Sequence, residues 1–191
     1  MLDLPEKRPL PIDSNTMDFE QIITPHQLNH EQTIELIDCW IAVTNAGGAA
    51  GFPFPPVDAG HVLPVAERLI STLDPQRSRL LLTRVDGVLA GWLHLRRDLH
   101  PLVAHWGTLN HVQSHPRFQG HGIGTALVTQ AHQIARDEMG LEQLRLTARA
   151  GLGLEGFYGR LGWKEIGRWP AALRFGPNDD RDEILMILAP L

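Results

Sequence analysis

The sequence predicts an α/β fold: a mixed central β-sheet flanked by helices, in the order β-α-α-β-β-β-α-β-α-β-β. Three observations carry that expectation. Apolar runs with strand character alternate along the chain with segments whose apolar residues fall at helical spacing. The dipeptide Asp86-Gly87 joins two apolar runs, "RLLLTRV" and "VLAGWLHLR", and marks an antiparallel hairpin inside the sheet. A length of 191 residues with 43% hydrophobic and 20% charged content suits one globular domain with a substantial core.

Taken in order, residues 1–17 contain three prolines and little periodicity, and read as a flexible tail ahead of a domain over 18–191. Phe19 to Ile23 is a short strand. Pro25 to Ala46 is helical, with Ile34, Ile37, Ile41 and Thr44 on one stripe. "NAGGAAGFPFPPVDAG" is a loop, since glycine and proline at that density break both periodicities. A second helix runs from Ala59 to Leu73 and stops before Asp74-Pro75. The hairpin follows, then a strand over Val103 to Ser114 that Pro116 ends. From Gly120 to Met139, Ile123, Ala126, Leu127, Ile134, Ala135 and Met139 form a helix face. Gln143 to Thr147 is a strand. Leu154, Phe157, Tyr158 and Leu161 make a short helix closed by Gly162. Trp163 to Phe175 and Glu183 to Leu188 supply the last strands.

Composition excludes several function classes. A net charge of −5 without a Lys/Arg cluster argues against nucleic acid. The longest apolar run, Ile184 to Ala189, is far shorter than a membrane span of ~20 residues, and no apolar signal core follows Glu6, Lys7 and Arg8. The single cysteine, Cys39, permits no internal disulfide and sits among Ile37, Trp40 and Ile41 as helix core. A cytoplasmic setting is expected. His26 and His30, four apart, have the spacing of a metal-ligand pair but lack a third ligand nearby, so no metal is expected.

The chemistry centres on "PRFQGHGIGTAL". A strand, a glycine turn and a helix form an anion site, because free N–H groups and the helix dipole face the same point. A phosphate loop of the Walker type would need Gly-Lys-Ser/Thr, whereas Gly124 is followed by Thr125-Ala126. The dinucleotide fingerprint G-x-G-x-x-G is broken by Thr125, although Glu142 stands about twenty residues on. Gln119, Gly122 and Gly124 instead spell Q-x-x-G-x-G, and "GLEGFYGRLGWKEIG" follows one strand later with the pattern F-Y-x-x-x-G-[FW].

Together these segments resemble the GNAT superfamily of acyl-CoA N-acetyltransferases, over roughly residues 18–190. "NAGGAAGF" and "GRWPAALRFGP" are loosely similar to its tabtoxin-resistance branch. The resemblance implies the GNAT fold, acetyl-CoA as acyl donor and an amine acceptor. It places the pantetheine arm along the backbone of Val112, Gln113 and Ser114. The diphosphate then meets the turn of Gln119, Gly120, His121, Gly122, Ile123, Gly124 and Thr125. Tyr158, the sole tyrosine, occupies the family's general-acid position, and a phenol can donate to a leaving thiolate.

The base is left open. The places where many relatives carry a glutamate or histidines hold Thr108 and Asn110, which can hold a water but cannot accept a proton at neutral pH. His94, His105 and His111 are substitutes, His111 being expected on the face opposite Asn110, and a water chain is the alternative. Trp40 and Trp163 read as core. Trp92, Trp106 and Trp169 are expected to line an acceptor pocket with Phe52 and Phe54, and Thr108 and Asn110 are expected among the substrate-binding residues beside them. The expected function is acetyl transfer to a small-molecule amine. A protein N-terminal or lysine acetyltransferase and a non-catalytic acyl-CoA sensor are the rivals, and a homodimer is left open.

Overall fold

A computed structural model of the chain describes residues 17–48, 51–52 and 56–191. Seven strands form one sheet in the order β1-β2-β3-β4-β5-β7-β6. The strands are β1 (Met17–Ile22), β2 (Ser78–Val85), β3 (Val88–Arg97), β4 (Trp106–Ser114), β5 (Gln143–Arg149), β6 (Lys164–Gly176) and β7 (Asp179–Leu188). Four helices flank them: α1 (His30–Asn45), α2 (Ala59–Ser71), α3 (Ile123–Gln133) and α4 (Leu154–Gly159). The element order is the one expected, and so is the mixed sheet: every neighbouring pair is antiparallel except β4 with β5.

Local chemistry explains the boundaries. Asn29 caps α1 by accepting from the Gln32 N–H at 2.8 Å, while the Gln32 side chain accepts from the Asn29 N–H at 3.1 Å. That reciprocal cap starts the helix at His30, so the expected start at Pro25 is corrected to a separate short turn over Pro25–Gln27. Asp86 and Gly87 both have positive φ, 51° and 78°, as the tight hairpin requires. Met17 belongs to β1, which moves the domain's start one residue earlier; residues 1–16 of the expected tail lie outside the described residues. Residues 101–105 form turns, and β4 begins only at Trp106.

The sheet carries a core on each face, as alternation dictates. Leu80 and Leu82 of β2 and Trp92 of β3 pack under α1 and α2 with Leu36, Trp40 and Val62. Leu81 of β2, Leu93 and Leu95 of β3, Leu109 of β4 and Leu146 of β5 pack under α3 with Ile123, Leu127 and Val128. Cys39 is buried in α1, and desolvation pushes its thiol up to about 12. Trp40 and Trp163 are core residues, as read from the sequence.

Candidate active site

The site begins where the parallel pair comes apart. β4 and β5 are paired only from Trp106/Gln143 to Thr108/Arg145. Beyond that point Leu109 to Ser114 on one strand and Leu146 to Arg149 on the other line a cleft of ≈ 920 Å³. Backbone donors and acceptors facing such a gap need partners, and an extended polar chain entering it would supply them.

A bulge sharpens the divergence. On β3, Trp92 and His94 are two residues apart, but their partners Gln113 and Asn110 on β4 are three apart. The extra residue is accommodated at His111, which has φ 51°. Strand alternation therefore fails there, which corrects the expected placement of His111. Its imidazole lies on the same face as Asn110, edge-on to Trp40 at 4.9 Å and stacked on Trp92 at 5.6 Å. It lines the cleft, and burial lowers its pKa below the ordinary 6.5, so the ring is neutral at pH 7 and able to accept a proton.

At the mouth of the gap, Pro116–Phe118 makes one tight turn and α3 begins after Gly122. Gly122 has φ 87°, and a Cβ there would meet nothing within 4 Å. The conformation and the open space together suit a backbone approached by a ligand. The N–H groups of Gln119 and His121 bond to Pro116 O and Phe118 O, so they are withdrawn from the expected set of phosphate donors. Gly120, Gly122 and the first-turn residues Ile123, Gly124 and Thr125 retain theirs among the described residues, at the positive end of α3. Gly124 has a different reason: a Cβ would sit 3.3 Å from the Phe157 ring.

Tyr158 reaches the cleft from α4, on the side of the sheet that holds α3. Only 7% of it is exposed, and desolvation raises its phenol well above the ordinary value of 10. The hydroxyl stays protonated throughout the physiological range, and so it can donate. Val112, Gln113 and Ser114 line the cleft as expected; the Gln113 carboxamide is buried with neither of its polar atoms partnered.

The expected acceptor residues divide. Asn110 lines the cleft. Thr108 does not: it lies where β4 and β5 are still paired, and its hydroxyl accepts from Arg145 Nε at 3.2 Å. Trp92 has no exposed surface, because the core under α1 encloses it, so it cannot touch an acceptor. Trp106 lies under the Arg145 guanidinium at 3.7 Å, and Trp169 is 64% exposed on β6; neither is among the residues that line the cleft. Phe52 packs edge-on to Trp40 at 5.6 Å and seals the core beneath the loop. Phe54 lies outside the described residues.

Sequence reasoning missed two polar residues that line the cleft on the α1 face, Arg149 of β5 and Glu183 of β7. Neither carries a motif; the register Arg149↔Glu183 brings them together. It also missed Asn45, whose carboxamide bonds both the N–H (2.7 Å) and the C=O (2.9 Å) of Val57 and so ties the two ends of the α1–α2 loop. Among the described residues no group of three His, Cys, Asp or Glu is placed to hold a metal ion.

The model of the acetyltransferase (GNAT) family matches residues 51–163. No curated protein matches the chain. Among solved structures it is similar to yncA from Salmonella typhimurium, solved with its cofactor acetyl-CoA: TM-score 0.67 and 18% identity over 92% of this chain and 94% of that one. The ribosomal-protein-S18-alanine N-acetyltransferase from Escherichia coli superposes equally well, with TM-score 0.67 and 16% identity over 91% and 94%. A nourseothricin acetyltransferase is a more distant neighbour, with TM-score 0.52 and 26% identity over 62% and 68%.

Proposed function

The chain belongs to the GNAT acetyltransferase family, and from that premise we propose that it transfers an acetyl group from acetyl-CoA directly to a primary amine of a small molecule. The observation that carries the proposal is one continuous cleft. It links the free N–H groups of Gly120, Gly122 and the first turn of α3 to the unpaired edges of β4 and β5, and both His111 and Tyr158 open onto it.

The residues present fit the donor. Gly122 and the first turn of α3 would hold its diphosphate, and the edge of Val112 to Ser114 would bond its amide-bearing arm. Acetyl-CoA in the solved yncA structure supports that choice. Bound there, the donor supplies a thioester carbonyl whose C–S bond breaks as the amine's C–N bond forms. Tyr158 holds a proton at its phenolic oxygen for the departing sulfur. His111 takes the proton that the amine nitrogen loses, so the balance of two protons closes between these side chains and solvent. Cys39 takes no part, because its thiol is buried in α1. The proposed cytoplasmic setting agrees with that buried thiol, and no described helix is long and apolar enough to cross a membrane.

Thiol release from acetyl-CoA across a panel of small amines and short peptides tests the reading. Turnover of small amines is expected. Turnover of peptides alone would make the acceptor a protein, and acetyl-CoA binding without turnover of any amine would make the chain a sensor.

A further inference from the structure

Arg149 has no role in the mechanism above, yet its surroundings are unusual for a cation. It is 6% exposed and lines the cleft from the last position of β5. Its guanidinium lies over the Phe175 ring at 4.2 Å, which fixes its plane. Nη2 donates to the carbonyl of Gly47, just past α1. The other donors are unmatched: Nε is buried without a partner, and Nη1 makes no bond among the described residues. A buried guanidinium with unmet donors is costly unless something supplies acceptors. Asp179, which stands near enough to act on it, is already held by Arg181 at 2.6 and 3.1 Å.

Glu183 is its register neighbour on β7 and lines the same cleft. The two are not within ion-pair distance of each other, and the Glu183 carboxylate makes no hydrogen bond or ion pair among the described residues, its backbone alone being paired in the sheet. An unmatched cation and an unmatched anion thus face one cavity, side by side on the α1 face of the sheet. Their complement is a molecule carrying both charges. Leu173 and Phe175 add an apolar wall beside them.

We propose that the acceptor is an amino acid, with its carboxylate on Arg149 and its ammonium at Glu183 before the proton leaves. This rests on the acetyl-transfer reading for its chemical consequence, but not for its binding test. A planar guanidinium offers a carboxylate two parallel N–H groups, which is the geometry that distinguishes amino acids from bare amines.

The test is calorimetric titration of the protein saturated with CoA. The probes are L-leucine, L-lysine and L-histidine, each beside its decarboxylated amine: isoamylamine, cadaverine and histamine. At least one amino acid should bind about 10-fold or more tightly than its decarboxylated counterpart. Arg149→Gln should remove that difference, and Glu183→Gln should weaken the amino acid while sparing CoA. If each bare amine binds as well as its parent, or none of the amino acids binds, the proposal fails on the wild-type protein alone, whether or not the variants fold. A preference that persists in folded Arg149→Gln also overturns it. The two readings separate cleanly. Amino-acid binding without thiol release from any amine would sink acetyl transfer and leave this site standing. Thiol release indifferent to the carboxylate would do the reverse.

Discussion

At the residue scale, burial has opposite consequences for the two groups assigned to proton transfer. Desolvation disfavours whichever form is charged, so Tyr158 keeps its proton and His111 gives its proton up. One is thereby a donor and the other an acceptor at the same pH. Tyr158→Phe should leave acetyl-CoA affinity unchanged and lower kcat by about 10²-fold, since the ring still packs against Phe157 and Trp163 while the proton is lost. An unchanged kcat, with chemistry shown to limit the rate, would reduce the residue to packing. For His111 the readout is the acidic limb of kcat/KM. Its pKa is depressed, so the limb should lie below pH 6.5, with activity falling as the ring protonates. His111→Asn should abolish that limb, while the titration of the acceptor amine is common to both proteins. Superimposable profiles would remove His111 from the mechanism. Tyr158 could be singled out in the sequence because it stands in a motif, and the structure places it on the cleft. The placement of His111 was not, because a single bulged residue reverses the face that alternation assigns to it.

At the scale of elements, the decisive feature is a strand pair that closes at one end and opens at the other. Three paired positions hold β4 to β5; after them the bulge turns β4 away, and α3 presents its N-terminus at the opening. The strand–turn–helix at that opening was expected in the sequence from Gln119, Gly122 and Gly124. What the motif could not reveal was which of its N–H groups are already taken up by the turn at Pro116–Phe118. Gly122→Glu should abolish acetyl-CoA binding. It forces a side chain into φ 87° and projects a carboxylate into the space beside the free N–H groups, where the diphosphate would sit. Calorimetry on a folded variant decides it: undiminished affinity would show that the turn is not the anion site. The α1–α2 loop illustrates the limit of composition. Glycine and proline identified a loop, but its aromatic Phe52 serves the core through Trp40, and a polar residue, Asn45, holds the loop's ends. Aromatic character alone does not separate a pocket wall from a plug.

For the whole molecule, the order of elements and the two-faced sheet were readable because periodicity reports burial, and burial builds the two cores. Polar residues placed inside those cores were not readable, because periodicity treats them as exceptions. His94 is the clearest case. It lies in the middle of the sheet on the Trp92 face, 6% exposed, with Nε2 buried and unpartnered. Desolvation holds its pKa down at about 4, with His111 and Arg96 adding repulsion. In the unfolded chain the same ring titrates near 6.5. The native state therefore binds fewer protons than the unfolded state between these values. Stability from this residue is complete above pH 6.5 and declines as pH falls toward 4, by about 3 kcal/mol in all. His132, which accepts from the Trp163 indole N–H at 3.1 Å and is also held down to about 4, acts in the same direction. Urea unfolding measured from pH 7 to pH 4 should thus show a steady loss, and His94→Gln should make that slope shallower even if it lowers stability at pH 7. Carboxylates that form ion pairs contribute to the loss in both proteins, so the difference between the two slopes isolates the histidine. Parallel slopes would mean that the His94 ring gains its proton in the native state as readily as in the unfolded chain, and that the sheet opens to water there without unfolding.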